Sequence, residues 1–247
     1  MAGEVIAREI VRRSEQGVSV QPFIVRADDG ALYFVKGLSR AGGASLISEV
    51  IAAELGGYLG LPIPDWRVMH FPEALLNFTA VPGASDLSGG PAFASRQVEN
   101  ANELLLAGVP SIDRDLKLKI LVFDWWIRNG DRCLGDHGGN VNLLTDANQN
   151  LVVIDHNAAF EQDWNAEEFR TYHVFRDQIP RLSDYVTRQQ LENQLDEALS
   201  RWASITGLLP SGWVYRDRDE VDETEPTLGK RLETLQRFRE ERFWGDI

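Results

Sequence analysis

The chain lacks most of the features that would cross-link it or anchor it in a membrane. Among its 247 residues there is one cysteine, Cys133, so an intrachain disulfide is excluded. A single thiol fits a reducing, cytoplasmic compartment. No apolar run approaches the roughly 18–20 residues that a helical membrane span requires. The first residues, MAGEVIAREIVRRSEQG, are too polar to read as a secretory leader. Positive charge is scarce: 25 Lys and Arg face 38 Asp and Glu, for a net charge of −13. Such a surface repels phosphate backbones and anionic headgroups, so neither nucleic acid nor a membrane is the expected partner. There is no internal repeat, no low-complexity tract and no G-x-G-x-x-G loop.

What is present is a chain with 43% hydrophobic residues, enough to build a core in one large domain or two small lobes. Residues 4–11 read as a short strand. QPFIVRADDGALYFVKG reads as a β-hairpin, with Asp29-Gly30 as its turn. Leu32, Phe34 and Lys36 fall on one face of its second strand, Tyr33 and Val35 on the other. In SLISEVIAAELGGYLGLPIP, Ile47, Ile51, Leu55 and Tyr58 repeat at helical spacing until Gly60 and Pro62 end the pattern. DWRVMHF, Phe78–Val81 and AFASRQVE are the remaining strand candidates of this part. From about residue 97 the character changes. DRDLKLKILVFDWWIRNG is apolar almost all round and predicts a buried helix. VNLL and LVVID form a second hairpin around TDANQN, and 188–206 and 228–243 read as helices. RDRDEVDE, 217–224, reads as a solvated connector. The expectation is an α+β protein: a small β-rich lobe with one helix over residues 1–97, joined to a larger, mainly helical lobe over 98–247.

The polar residues that stand out follow a fixed order. Lys36 lies on a strand and Glu49 on the helix after it. Asp131 and an Asn lie in a loop after the buried helix, and Asp155 ends a strand after the second hairpin. Phosphoryl transfer from a nucleotide needs this set. A lysine neutralises the α- and β-phosphates, and a carboxylate holds that lysine. An Asp orients the attacking hydroxyl and accepts its proton. A second Asp and an Asn supply the hard oxygens that Mg²⁺ prefers. Each residue also has a plainer reading. Lys36 alone reads as a surface lysine, and Asp131 in Asn129-Gly130-Asp131 as a turn residue. Glu54 lies nearer the middle of its helix's apolar stripe than Glu49 and competes as the lysine's partner.

FVKG, SEVIAAELGGYLGLPIP, DWWIRNGDRCLGDHGGNVNLL and LVVIDHNAAF together resemble the HipA-like kinases, in the short single-chain branch. The resemblance spans roughly residues 5–205, and its most specific part is N-x-D-R, then N-x-N-L-L, then I-D-H. It implies a bilobal, protein-kinase-like fold that uses ATP and Mg²⁺ to phosphorylate a hydroxyl, of Ser or Thr in a protein substrate. It implies Lys36 as the ATP lysine, Glu49 as its partner, Asp131 as the catalytic Asp, Asn140 as a metal ligand and Asp155 as the metal-binding Asp. Some members of the family work with an antitoxin-type partner.

Several positions depart from that pattern. Asp131 and Asn140 are nine residues apart, against about five in the standard kinase loop. Asn142, directly before Leu143-Leu144, is the alternative metal ligand. In the absence of a Gly-rich loop, SEQGVSVQP is the substitute, with Gly17 for the turn and the Ser19 hydroxyl toward a phosphate. Arg132 is placed with the nucleotide contacts and is also expected to pair with a carboxylate and organise its loop. Asp136 and His137 read as solvated insert residues, and His156 as packing behind Asp155. Cys133 carries no mark of a nucleophile. Two other functions compete. One is a metal-dependent hydrolase built from Asp131, Asp136, His137, Asp155 and His156, which leaves Lys36 and Glu49 unexplained. The other is a catalytically inactive nucleotide-binding scaffold.

Overall fold

A computed structural model describes residues 3–14, 21–134 and 141–247. The chain forms two compact units. Unit 1 comprises residues 1–50, 64–99 and 208–225, and unit 2 comprises 51–63, 100–207 and 226–247.

Unit 1 is built on five strands: β1 (Glu4–Arg13), β2 (Phe23–Ala27), β3 (Leu32–Lys36), β4 (Trp66–His70) and β5 (Ala92–Arg96). They close into a barrel in the order β1-β2-β3-β5-β4. All pairings are antiparallel except β1 with β4, which run parallel and seal the sheet. Closure leaves no unpaired sheet edge. The expected hairpin is in register, with Phe23 opposite Val35 and Ile24 opposite Phe34. Its period-2 alternation sorts the side chains: Tyr33 and Val35 are fully buried, whereas Leu32 and Phe34 are only partly so. Val25, Ala27, Ala92 and Ala94 join Tyr33 and Val35 in the same core. These residues are mostly small, as the interior of a narrow barrel demands. Tyr33 keeps a polar handle there: its hydroxyl donates to Asp29 Oδ2 at 2.7 Å. Burial and that carboxylate push its pKa up to about 12.

The segment after Phe71 differs from expectation. Phe78–Val81 is not a strand; Glu73–Phe78 is a short helix (α2) that follows Pro72. Proline presets the backbone for a first turn, and Glu-Ala-Leu-Leu are good helix formers. Leu75 and Leu76 pack on the barrel core. The long helix α1 (Leu38–Tyr58) is two helices merged across a kink at Gly42, whose φ of 76° is unhelical. Beyond the kink the burial is nearly all round, from Leu46 to Leu55. Tyr58, expected in the core, is exposed at 51% beneath the Arg201 guanidinium. Residues 208–225 return to unit 1, where the Trp213 indole N–H donates to the Pro91 carbonyl at 2.9 Å.

Unit 2 centres on α3 (Arg114–Trp126), capped by Asp113, whose Oδ1 accepts the Asp115 and Leu116 N–H groups. As its composition predicts, α3 is buried on nearly every side. Its tryptophans keep their N–H groups satisfied: Trp125 donates to the Phe243 carbonyl and Trp126 to that of Leu235. The expected second hairpin is present as β7 (Leu143–Thr145) and β8 (Leu151–Val153), with β6 (Asn102–Glu103) beside β7. Asp146 organises the turn by accepting the Asn148 and Asn150 N–H groups, both at 2.8 Å. Two further helices are α4 (Ala166–Tyr172) and α5 (Tyr185–Leu199). The expected helix over 188–206 breaks after Leu199 and resumes at Trp202–Thr206, and 228–243 is likewise divided. None of the described helices is long and apolar enough to cross a membrane.

Gly37, between β3 and α1, shows how tightly unit 1 closes. A Cβ there would lie 2.3 Å from the Asp86 carbonyl oxygen and 2.5 Å from Leu87 Cα. Gly37→Ala is expected to lower unfolding stability by about 2 kcal/mol or more. Gly57→Ala, on α1 with nothing within 4 Å of the new Cβ, should raise it by about 0.5–1 kcal/mol. Urea unfolding of the two variants beside wild type measures both.

Candidate active site

Lys36 is the last residue of β3, on the face opposite Tyr33 and Val35, and Glu49 lies on α1 beyond the kink. The structure brings them together: Nζ is 2.5 Å from Glu49 Oε1. Both side chains are almost wholly buried, at 9% and 5% exposure. Withdrawing two charges from water is costly, and close opposite charge offsets that cost. Glu54, the competing carboxylate, is half-buried farther along α1.

In unit 2 the chain leaves α3 through Ile127 and turns at Arg128, whose φ is 53°. The next residues alternate sharply in exposure. Asn129 and Arg132 are fully buried, while Asp131 is exposed. Arg132 therefore anchors the loop from inside and leaves its neighbour Asp131 at the surface. Its partner is Asp124, in the last turn of α3 and likewise fully buried. The Arg132 Nε donates to Asp124 Oδ2 at 2.8 Å. Asp124 Oδ1 accepts the Asn129 side-chain amide at 2.8 Å, and Oδ2 also meets His173 Nε2 at 3.0 Å. Burial alone would raise the Asp124 pKa, but Arg132 and His173 hold it far below the usual carboxylate range.

The other end of the guanidinium reaches the second hairpin. Nη1 donates to the carbonyls of Val141 at 3.0 Å, Asn142 at 2.7 Å and Ile154 at 3.4 Å. Nη2 lies 3.1 Å from His156 Nε2. One side chain thus ties the Asp131 loop to the two strand ends that carry Asn142 and Asp155. Those ends are joined directly as well, since the Ile154 N–H donates to the Asn142 carbonyl at 3.1 Å. Asn142 and Asp155 both have left-handed backbones, φ 51° and 58°. Asn and Asp tolerate that region better than other non-glycine residues, and such conformations persist where the surroundings enforce them.

Hydrogen bonding sets the ring tautomer of the two histidines buried among the described residues. The His173 Nδ1 accepts the Phe175 N–H at 3.1 Å, so the ring proton sits on Nε2, facing Asp124. Its pKa is lowered, chiefly by burial. His156 Nε2 faces a guanidinium that can only donate, so Nε2 accepts and Nδ1 carries the proton.

A family profile of the HipA-like kinases matches residues 7–247. This chain belongs to the HipA-like kinase family. No curated protein sequence matches it. Among solved structures, this HipA-like kinase is similar to the Helicobacter pylori proinflammatory kinase CtkA. That likeness covers 94% of this chain and 92% of CtkA, with 12% identity and a TM-score of 0.53, and concerns the fold. The FAT and kinase domain of CtTel1 matches at 15% identity over 94% of this chain and 20% of that one, with a TM-score of 0.29. The open conformation of CtTel1 matches at 14% identity over 94% and 11%, also with a TM-score of 0.29.

Of the residues singled out from the sequence, Gly17, Ser19, Asp136, His137 and Asn140 lie outside the described residues. The structure therefore locates Asn142 and not its rival. Arg132, expected among the nucleotide contacts, is fully buried and directed into unit 2. Asp124 and His173 were not singled out. A signal for Asp124 existed, as the one carboxylate inside ILVFDWW, where an ionised group demands a partner. His173 offered none. Glu161 was also missed: burial, then the negative charges of Asp131 and Asp163, raise its pKa. Cys133 has its thiol pushed up to about 12 by burial and by Asp124, Glu168 and Asp131, which leaves it no nucleophilic thiolate near neutral pH. Among the described residues no group of three or more His, Cys, Asp or Glu is placed to hold a metal ion. Asn142 and Asp155 are oxygen donors of the kind Mg²⁺ takes, one or two from protein together with phosphate oxygens.

Removing Asp124 leaves the Arg132 charge buried without its counter-ion. Asp124→Ala is expected to cost about 3–5 kcal/mol, and Asp124→Leu combined with Arg132→Met less than the two single losses added, by chemical denaturation. His173 gives a pH signature. Its folded pKa lies below its unfolded value, so its contribution is complete above the unfolded pKa of about 6.5 and declines as acid protonates the unfolded chain. The melting temperature should fall as the pH is lowered through this window, and His173→Gln should make that slope shallower.

Proposed function

We propose that the protein transfers the γ-phosphate of ATP, with Mg²⁺, to a Ser or Thr hydroxyl of a protein substrate. The observation that carries this reading is the buried Lys36–Glu49 pair at 2.5 Å, in a chain of the HipA-like kinase family. A lysine held by a buried carboxylate is a poor surface ornament but a well-fixed partner for nucleotide phosphates.

In this reading Glu49 orients Lys36, which neutralises the α- and β-phosphates. Asp131, exposed beside the buried Arg132 anchor, accepts the proton of the attacking hydroxyl as the phosphoryl group transfers. Asn142 and Asp155 hold the cation, their strand ends bridged by the Ile154–Asn142 hydrogen bond. Bound Mg²⁺ supplies charge neutralisation on the phosphate oxygens. Asp124, Arg132, His156 and His173 act through position alone, since they are buried away from any substrate.

The test is incubation with γ-labelled ATP and Mg²⁺, reading label on the protein itself or on added lysate proteins. Asp131→Ala, Asp155→Ala and Lys36→Met should each reduce labelling by roughly 100-fold or more, while Cys133→Ser labels as wild type does. Equal labelling by wild type and Asp131→Ala would sink the assignment. ATP binding without turnover in wild type would indicate an inactive scaffold instead.

A further inference from the structure

Unit 2 contains a concavity whose lining includes none of Asp131, Asn142 and Asp155. It has a volume of about 670 Å³ and is lined by Val109, Pro110, Arg114, Lys117, Val174, Arg176, Asp177 and Gln178. This is within the roughly 300–1,000 Å³ of small-ligand sites. Its most informative residue is Lys117. Lys117 sits on α3 and keeps only 5% of its surface. Its ammonium makes no hydrogen bond or ion pair among the described residues, yet it is not among the sealed, unsatisfied atoms, so its residual exposure faces the cavity it lines.

A nine-tenths-buried lysine without a counter-ion is costly unless a ligand supplies the negative charge. The surroundings favour such a ligand. Arg114 and Arg176 also line the cavity, and among the described residues the Arg176 guanidinium donates only to the His173 carbonyl, at 3.3 Å. Among the described residues the one carboxylate in the lining is Asp177, which accepts the Gln178 amide at 2.6 Å. Three cations against one carboxylate leave an excess of two positive charges. That excess stands in a chain whose net charge is −13, so it is local and not a consequence of composition. A phosphate monoester carries about two negative charges near pH 7 and offers three acceptor oxygens to ammonium and guanidinium donors.

We propose that this cavity is a binding site for a phosphate monoester, with Lys117 as the central charge and Arg114 and Arg176 as flanking donors. Its lining includes none of the phosphoryl-transfer residues, and its existence does not depend on their roles. A phosphorylated protein side chain and a free phosphate share this chemistry.

Isothermal titration of the full chain with inorganic phosphate and with O-phosphoserine tests it. The variants are Lys117→Met, which keeps the apolar stem, the exposed pair Arg114→Gln/Arg176→Gln, and Lys36→Met. Wild type and Lys36→Met should bind phosphate alike, while Lys117→Met and the arginine pair should each weaken binding roughly tenfold or more. O-phosphoserine bound at least as tightly as phosphate supports a phosphorylated side chain as the source, and phosphate bound without O-phosphoserine supports the free ion. No binding by wild type, equal affinity in all four proteins, or loss confined to Lys36→Met would overturn the site. If thermal unfolding shows Lys117→Met to be unfolded, the arginine pair, on exposed residues, decides alone.

Discussion

The ion pair between Asp124 and Arg132 is the contact on which the organisation of unit 2 depends. Both side chains have no solvent exposure. At a surface such a pair contributes little, because water competes for each charge. Inside the protein it is favourable only when every donor and acceptor is matched. Here the matching is close to complete. Asp124 receives the guanidinium, an amide and an imidazole, and Arg132 divides its remaining donors among three carbonyls and a histidine nitrogen. The carbonyls belong to residues 141, 142 and 154, so electrostatics at one point ties the Arg132 loop to two further chain segments.

That arrangement explains how two non-glycine residues can hold left-handed backbones at neighbouring strand ends. Asn142 and Asp155 would each relax if their segments were free, since αL costs an L-residue about 1–2 kcal/mol. The Arg132 guanidinium on the adjacent carbonyls and the Ile154–Asn142 hydrogen bond remove that freedom. Strain of this kind is retained where a side chain must point in a direction that regular β-structure does not allow. In unit 1 a different device serves the same end. A closed barrel with a small-residue core fixes the end of β3, and the buried carboxylate of Glu49 fixes the lysine that stands there.

Buried positive charge is handled locally in this acidic chain. Lys36, Arg132 and Lys117 are all buried, and each answers burial differently. Lys36 meets one carboxylate, Arg132 a full hydrogen-bond network, and Lys117 a cavity. A buried cation is costly wherever it occurs, and each of these three meets that cost in its own way.

The HipA-like kinase character of the chain was legible in its sequence, because it rests on short-range patterns. Alternation in LYFVK, the Asp29-Gly30 turn and the apolar run of α3 depend on local steric and solvation rules, and they specify a hairpin and a buried helix directly. The order Lys36, Glu49, Asp131, Asp155 is likewise a linear property. Phe78–Val81 was misjudged because Leu75 and Leu76 suit a helix or a strand equally until a barrel surface is there to receive them. Only the tertiary structure decided that the sheet closes through a parallel β1–β4 pair, that residues 208–225 return to unit 1, and that Asp124 and His173 meet Arg132. Those contacts join residues far apart along the chain, and a buried charge declares in sequence only that it needs a partner; which partner it finds is settled by packing.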